Sequence, residues 1–279
     1  MGNLLLAIAS SALVSITMRI SEAKIKNNLS MLMVNYIMCA ILSWGFAGFS
    51  LPGGAGLGFM AGISAVNGLL YLAGFVLLQH NIRVNGVVLS ATFIKLGLLV
   101  SMVVSVVFFG ERPGAGQWLG FALAVAAIVL MNFQPGAGKV GSALWLVLLL
   151  LAGGGGDAMS KVFEELGNPA LADHFLLGTF VVAFAVCALV VIVGKAGKPG
   201  FWETVFGLLI GIPNFFSAKF LLGALTDIAA VIVYPVYSVA TILTVTLAGI
   251  LAFREKLEKR QWMALGIILL ALVLLNMGN

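Results

Sequence analysis

The chain repeats the stretch FGERPGAGQW of residues 109–118 as FREKLEKRQW at residues 253–262, which lie 144 positions later. An apolar run follows each copy and ends at an asparagine, Asn132 after the first and Asn276 after the second. Self-similarity at a fixed offset is typical of a duplicated architecture. We therefore expect two related domains, residues 1–138 and residues 139–279.

Apolar runs divide the whole chain in the same way. Charge clusters and glycine or proline breaks, among them the polar residues 80–85, separate ten segments that are each about long enough to cross a bilayer as a helix. Since each half holds five segments, an odd number, the second half enters the membrane from the opposite side. The sequence thus predicts an all-α integral membrane protein with ten transmembrane helices in two inverted five-helix repeats. The segments are residues 3–19, 29–49, 55–78, 84–109, 115–132, 142–162, 171–193, 202–225, 228–252 and 259–276.

Composition excludes most other classes of protein. Hydrophobic residues make up 62% of the 279 positions and charged residues 9%, whereas soluble domains have about 45–50% and about 25%. The two cysteines, Cys39 and Cys187, lie inside apolar runs, and we find no metal-ligand spacing, nucleotide fingerprint or convergent cluster of catalytic side chains. We expect no enzyme activity and no cofactor. The excess of basic residues lies in short loops, so we also expect no nucleic-acid partner.

The basic residues also predict an orientation. Eleven of the fifteen lie before the first break or in loops that follow odd-numbered segments. By the positive-inside rule these loops are cytoplasmic, which places both termini outside a plasma (inner) membrane that the chain crosses many times. The eleven residues are Arg19, Lys24, Lys26, Arg83, Lys139, Lys195, Lys198, Arg254, Lys256, Lys259 and Arg260.

Ten short-looped helices in two halves, with Phe109-Gly110-Glu111 and Phe253-Arg254-Glu255 each preceding Gln-Trp and a final helix, resemble the ten-helix EamA-type branch of the drug/metabolite transporter superfamily. The resemblance covers nearly the whole chain. It implies secondary transport by alternating access, with export preferred, and it leaves amino acids, drugs, nucleotide sugars and phosphorylated sugars open as cargo. Members of the family are commonly drawn with cytoplasmic termini, which differs from the orientation that the charges predict here.

Lys95 is the first candidate for substrate binding, together with Thr92. At about 1.5 Å per residue, Lys95 lies roughly 16 Å from Val84 and 21 Å from Phe109, deep inside its predicted helix. Ionisable groups at such depth usually serve function, here by binding an anionic group or by coupling transport to protons. The alternative is a structural lysine paired with a carboxylate such as Asp157, or bonded to backbone carbonyls. Nucleotide-sugar and triose-phosphate translocators, which the chain resembles, also place a cargo-contacting lysine on the fourth helix.

Two further charged residues lie in apolar segments. Asp157 follows Gly153–Gly156 and precedes Lys161 by one turn, so it either forms an ion pair with Lys161 or binds a proton or cationic amine beside a helix weakened by glycine. Lys219 lies about six residues before Leu225, the end of its segment. Its ammonium either faces a cavity or extends to the membrane interface.

Uncharged polar residues supply the remaining candidates. Asn67 and Tyr71 are one turn apart on the third helix, and Asn214 occupies a roughly matching place on the eighth. Such side chains either contact cargo or bond neighbouring helices. On the ninth helix a stripe spaced to lie on one face is expected to line a cavity, although its hydroxyl groups also suit hydrogen bonds between helices. It consists of Tyr234, Tyr237, Thr241 and Thr244, with Ser238 beside it.

The leading hypothesis from the sequence is a secondary transporter of small organic metabolites or drug-like solutes. Its two halves would move around a midplane cavity lined by helices 3, 4, 8 and 9, driven by the solute gradient or by protons. An anionic-metabolite carrier with Lys95 and Lys219 as a paired clamp and a flippase for lipid-linked substrates are the alternatives. The expected partners are the small-molecule substrate, protons and the lipid bilayer, with the chain a monomer or a loose dimer.

Overall fold

The computed structural model describes residues 1–132, 141–194, 197–254 and 257–276. The predicted domain boundary between residues 138 and 139 lies outside the described residues. Outside them too lie three lysines of the basic loops and one glutamate of the repeat, namely Lys139, Lys195, Lys256 and Glu255.

The described residues form α-helices, one short 3-10 helix and no strand. Nine helical segments among them are long and apolar enough to cross a membrane, and α5 is also apolar but shorter. This confirms the predicted all-α, membrane-embedded class. The helices are α1 Gly2–Ser21, α2 Asn28–Phe46, α3 Leu57–Lys95, α4 Leu98–Phe108, α5 Ala115–Asn132, α6 Ala143–Leu166, the 3-10 turn Pro169–Leu171, α7 Ala172–Val193, α8 Phe201–Leu225, α9 Ala230–Phe253 and α10 Lys259–Asn276.

Helix ends agree with the sequence where an apolar run meets a clear polar or glycine break. The bounds of α5 and α10 are those predicted. At the start of α2, Oδ1 of Asn27 accepts hydrogen bonds from the backbone N–H groups of Leu29 and Ser30, at 3.0 and 3.2 Å. An asparagine side chain in this position satisfies N–H groups that have no partner within the helix, so the chain begins a helix there.

The predicted loop at residues 80–85 is wrong, because α3 remains helical through it. The interruption lies at Gly86, whose φ of 80° and ψ of 163° are open to glycine and costly for other residues. The third apolar span is therefore Leu57–Gly86, and the fourth, Leu89–Phe108, combines the last turns of α3 with α4.

Two asparagines explain why this polar stretch is helical. Nδ2 of Asn81 donates to the carbonyl oxygen of Trp145 at 2.8 Å. Asn85 donates from Nδ2 to the carbonyl oxygen of Ser142 at 3.1 Å and accepts from the Ser142 N–H at 2.9 Å. The two side-chain amides, which indicate a loop in the sequence, thus form hydrogen bonds with backbone groups at the start of α6. Because buried polar groups need hydrogen-bond partners, these bonds allow the two asparagines to be buried within a helix.

The helices pack as two compact units, which are described separately. Unit 1 comprises Met1–Leu72 and Val162–Ala224. Within it α2 packs along α7. Side chains also bond the backbone of neighbouring helices, as when Oγ of Ser64 donates to the carbonyl oxygen of Phe175 at 3.0 Å. Such bonds satisfy polar groups that water cannot reach.

Unit 2 comprises Ala73–Lys161 and Leu225–Asn279. Its helix α5 packs along α10, and α9 contacts α4, α5 and α10. Each unit contains segments from both halves of the sequence, so the compact units are built differently from the two predicted domains. The pairs α2 with α7, α4 with α9 and α5 with α10 each join helices that are five apart in the chain order.

Candidate functional site

A single tight turn interrupts the regular α-helix of the fourth span in unit 2, immediately after Lys95, and we call this turn the break. Helix α3 ends at Lys95, Leu96 and Gly97 form a turn, and α4 begins at Leu98. Backbone bonds tighten there to a separation of three residues, with the N–H of Gly97 donating to Ile94 at 3.2 Å and that of Val100 to Gly97 at 2.8 Å. A 3-10 stretch inside a longer helix often marks a functional hinge.

Glycines let α6 approach this break closely. A Cβ atom built on Gly154 would lie 2.0 Å from the carbonyl oxygen of Gly97, and one on Gly97 would lie 2.6 Å from the backbone nitrogen of Gly154. Oγ of Ser101 also donates to the Gly154 carbonyl oxygen at 3.2 Å. The four-glycine run thus permits helix contact, and α6 itself continues unbroken from Ala143 to Leu166. Of the two interpretations of Asp157, the one that needs a weakened sixth helix does not hold, because the break lies on the helix that packs against α6.

Lys95 and Asp157 carry opposite charges beside this crossing. The two side chains are close enough to interact electrostatically. Lys95 is exposed and Asp157 is half-buried. Within the part of the chain that the structure describes, neither charged group forms a hydrogen bond or an ion pair within 4 Å.

Lys95 lies nearer one end of its span than the sequence predicts. With Leu89 as the first residue of the fourth span, the rise to Lys95 is about 9 Å, and the rise from Lys95 to Phe108 is about 20 Å. The difference from the predicted 16 Å arises because Gly86, and not the polar stretch before it, separates the third and fourth spans.

The ninth-helix stripe divides into buried and accessible positions. Tyr234 is fully buried, and its hydroxyl donates to the backbone carbonyl oxygen of Asp157 at 2.5 Å. Tyr237 and Ser238 are half-buried. Thr241 is buried, and its Oγ1 atom has no hydrogen-bond partner within the described residues. Tyr234 therefore connects α9 to α6 at the residue that carries the acidic charge.

Thr92 is buried one turn before Lys95 on the same helix. Residues three apart on a helix are neighbours on its surface. Thr92 therefore lies next to Lys95 in the last turn of α3. The candidate residues that unit 2 brings together from different helices are thus Lys95 and Asp157, with Tyr234 bonded to the backbone of Asp157.

In unit 1 the candidate asparagines bond other helices. Nδ2 of Asn67 donates to Oγ1 of Thr179 at 3.4 Å. Nδ2 of Asn214 donates to Oδ1 of Asn35 at 3.2 Å and also lies 3.7 Å from the sulfur of Cys39. These contacts agree with the bonding of neighbouring helices that the sequence left open for both asparagines.

The other two candidates of unit 1 have partners as well. The Tyr71 ring packs edge-to-face on Phe180, with 6.0 Å between centroids. Lys219 forms an ion pair with Asp173 and lies 4.5 Å from the centroid of the Phe46 ring. Asp173 belongs to the first turn of α7, so Lys219 extends toward a helix end, as one of its two predicted roles requires.

Sequence reasoning missed an acidic site in unit 2. Nζ of Lys161 lies 3.1 Å from Oε1 of Glu111, and Lys161 is almost fully buried. The Glu111 carboxylate also accepts the N–H groups of Ala230 and Val231, the first residues of α9, at 3.0 and 2.9 Å. A carboxylate at a helix N-terminus complements the helix dipole. The signal was the Phe-Gly-Glu step, which we used only as a mark of the repeat.

Comparisons with known proteins identify a shared fold and indicate no function. No model of a known protein family matches the chain. The chain is 24% identical over 282 residues to an uncharacterized protein of Haemophilus influenzae, covering 96% of this chain and 94% of that one. It also matches a solved structure, described only as the crystal structure of a protein, with a TM-score of 0.74 at 14% identity, covering 98% of this chain and 95% of that one. The fold is therefore shared along nearly the full length of both chains.

Proposed function

We propose that the protein is a secondary-active transporter that exports small organic solutes by alternating access. The apolar helices support a location in a membrane. Because we expect no nucleotide-binding site, transport would be driven by the gradient of the solute or by protons. The 3-10 turn inside the fourth span supports the proposal most strongly. A 3-10 stretch inside a longer helix often marks a functional hinge, and alternating access requires such points of movement between helices.

The charge at the break carries the proposal. Lys95 is exposed inside an apolar span, and because ionisable groups within such spans usually face a partner or a water-filled cavity, it supports a water-filled space beside it. Asp157 places an opposite charge within electrostatic range. In our proposal cargo contacts Lys95 from this space, and Asp157 either contacts the same cargo or takes up a proton.

We further propose that the two halves are inverted repeats and that the chain is a member of the ten-helix branch of the drug/metabolite transporter superfamily. In two related five-helix halves, each helix has its counterpart five positions later. The three pairs α2 with α7, α4 with α9 and α5 with α10 have this spacing, which supports a two-fold relation between the halves. Inverted repeats of this kind are the basis of alternating access in several transporter folds.

Transport of anionic metabolites is the second candidate. Lys95 favours it, because this exposed residue has no ion pair within the described residues. Lys219 does not favour the paired clamp, since it already binds Asp173. We expect Lys219→Gln to leave transport of an anionic cargo within about twofold of wild type. A loss as large as that of Lys95→Gln would favour the clamp.

The direct test is transport by the purified protein in proteoliposomes. Uptake of radiolabelled amino acids, nucleotides, phosphorylated sugars and cationic drugs is measured with and without a pH gradient, against empty liposomes. We expect saturable uptake of one of these classes. Flux equal to that of empty liposomes for every class, from protein that is folded by circular dichroism, would contradict the proposal.

A further inference from the structure

Unit 1 has a groove that the transport proposal does not use. It has a volume of about 580 Å³ and lies between one residue of α2, the C-terminal half of α7 and the segment that follows α7. We call it the α2/α7 groove. Its main lining residues are Met33, Phe184, Val191, Ile192, Lys198 and Pro199.

The groove has an apolar floor, formed along α7, and a basic mouth at Lys198. Phe184 and Ile192 are eight residues apart on α7, so the apolar lining extends about 12 Å along that helix from near its end. Lys198 is exposed and is the only charged residue that lines the groove in the part of the chain that the structure describes.

Trp202 indicates how deep in the membrane the basic end of the groove lies. Trp202 lies four residues after Lys198 in the first turn of α8, and Nζ of Lys24 lies 4.1 Å from the centroid of the Trp202 ring. Tryptophan and lysine gather at the level of the lipid headgroups. The mouth of the groove is thus placed among the headgroups, and its floor among the acyl chains.

We propose that the α2/α7 groove binds one anionic phospholipid, with an acyl chain along α7 and the phosphate at the Lys198 ammonium. Apolar lining alone would accept any lipid. The charge at the mouth selects a net negative headgroup, since basic pockets at this level of a membrane protein bind anionic lipids. A second copy of this chain in the groove would instead bury the Lys198 ammonium in an apolar interface without a charged partner from the groove, which is costly.

Native mass spectrometry of the full chain, released from micelles that contain equal amounts of phosphatidylglycerol and phosphatidylcholine, tests the proposal. We expect about fivefold preference for phosphatidylglycerol, the effect of one lysine at a membrane surface. Lys198→Gln should remove most of this preference. Lys259→Gln removes an exposed lysine from another basic loop and should retain it. Equal melting temperatures of the three proteins show that each is folded.

Several results would overturn the proposal. Equal binding of the two lipids to the wild type would remove the headgroup selectivity. An equal loss in the Lys198 and Lys259 variants would assign the preference to the overall surface charge. A lipid-free dimer that becomes monomeric in Ile192→Arg would show that a second copy covers the groove. None of these outcomes depends on whether the protein transports a solute.

Discussion

The Lys161 ammonium lies 3.1 Å from the Glu111 carboxylate, which also caps the first two N–H groups of α9. One side chain in the α4–α5 connection thereby holds the ends of two other helices of unit 2. Lys161 is only 3% exposed and Glu111 12% exposed, so this ion pair is largely buried.

Glu111→Ala should lower the free energy of unfolding by about 3–5 kcal/mol, since it removes one member of a largely buried ion pair and a helix cap. Equilibrium unfolding in mixed micelles measures the change. Glu258→Ala is the matched control, because Glu258 forms an ion pair of 2.8 Å with Arg260 while 64% exposed, and such pairs contribute at most about 1 kcal/mol. Equal effects of the two substitutions would contradict the buried role of Glu111.

Gly154→Ala should disturb the crossing of the fourth span and α6. The new methyl group would lie 2.0 Å from the carbonyl oxygen of Gly97, and overpacking of a close contact costs about 1–3 kcal/mol or more. We expect a lower melting temperature in detergent. Gly62→Ala serves as the control, because a Cβ there meets nothing within 4 Å. If Gly154→Ala melts like Gly62→Ala, the close approach is not needed for stability.

The orientation can be tested with cysteines placed on opposite sides of the predicted membrane. The native Cys39 and Cys187 are buried, so their background should be low. Leu51→Cys, at an exposed position after α2, should react with an impermeant maleimide in intact cells. Lys259→Cys, in a basic loop, should react only after permeabilisation. The opposite pattern would place the basic loops outside.

The helices of this fold could be predicted because each apolar run is bounded by charges, glycine or proline. The boundary between the third and fourth spans could not, since Asn81 and Asn85 have the composition of a loop, whereas in the structure they lie in a helix and bond the start of α6. These hydrogen bonds join segments that are distant in the sequence, and the spacing of apolar residues along one helix cannot predict such contacts.

Much of the candidate site likewise could not be predicted from the sequence, because it depends on contacts between distant segments. The depth of Lys95 in an apolar run indicated a special position, and the structure adds the break beside it. The pairing of Lys161 did not follow from spacing, because Asp157 one turn away was the nearest carboxylate in sequence while Glu111 binds it in space. Whether the polar stripe of α9 contacts cargo remains a prediction.

The central claim is that Lys95, at the break in the fourth span, contacts the cargo. The most direct measurement is counterflow of the solute identified in proteoliposomes, compared between wild type, Lys95→Ala, Lys95→Arg and the distant control Lys259→Ala. We predict at least tenfold loss in Lys95→Ala, partial recovery in Lys95→Arg and wild-type flux in the control, all with unchanged melting temperatures. Wild-type flux in folded Lys95→Ala would contradict the claim.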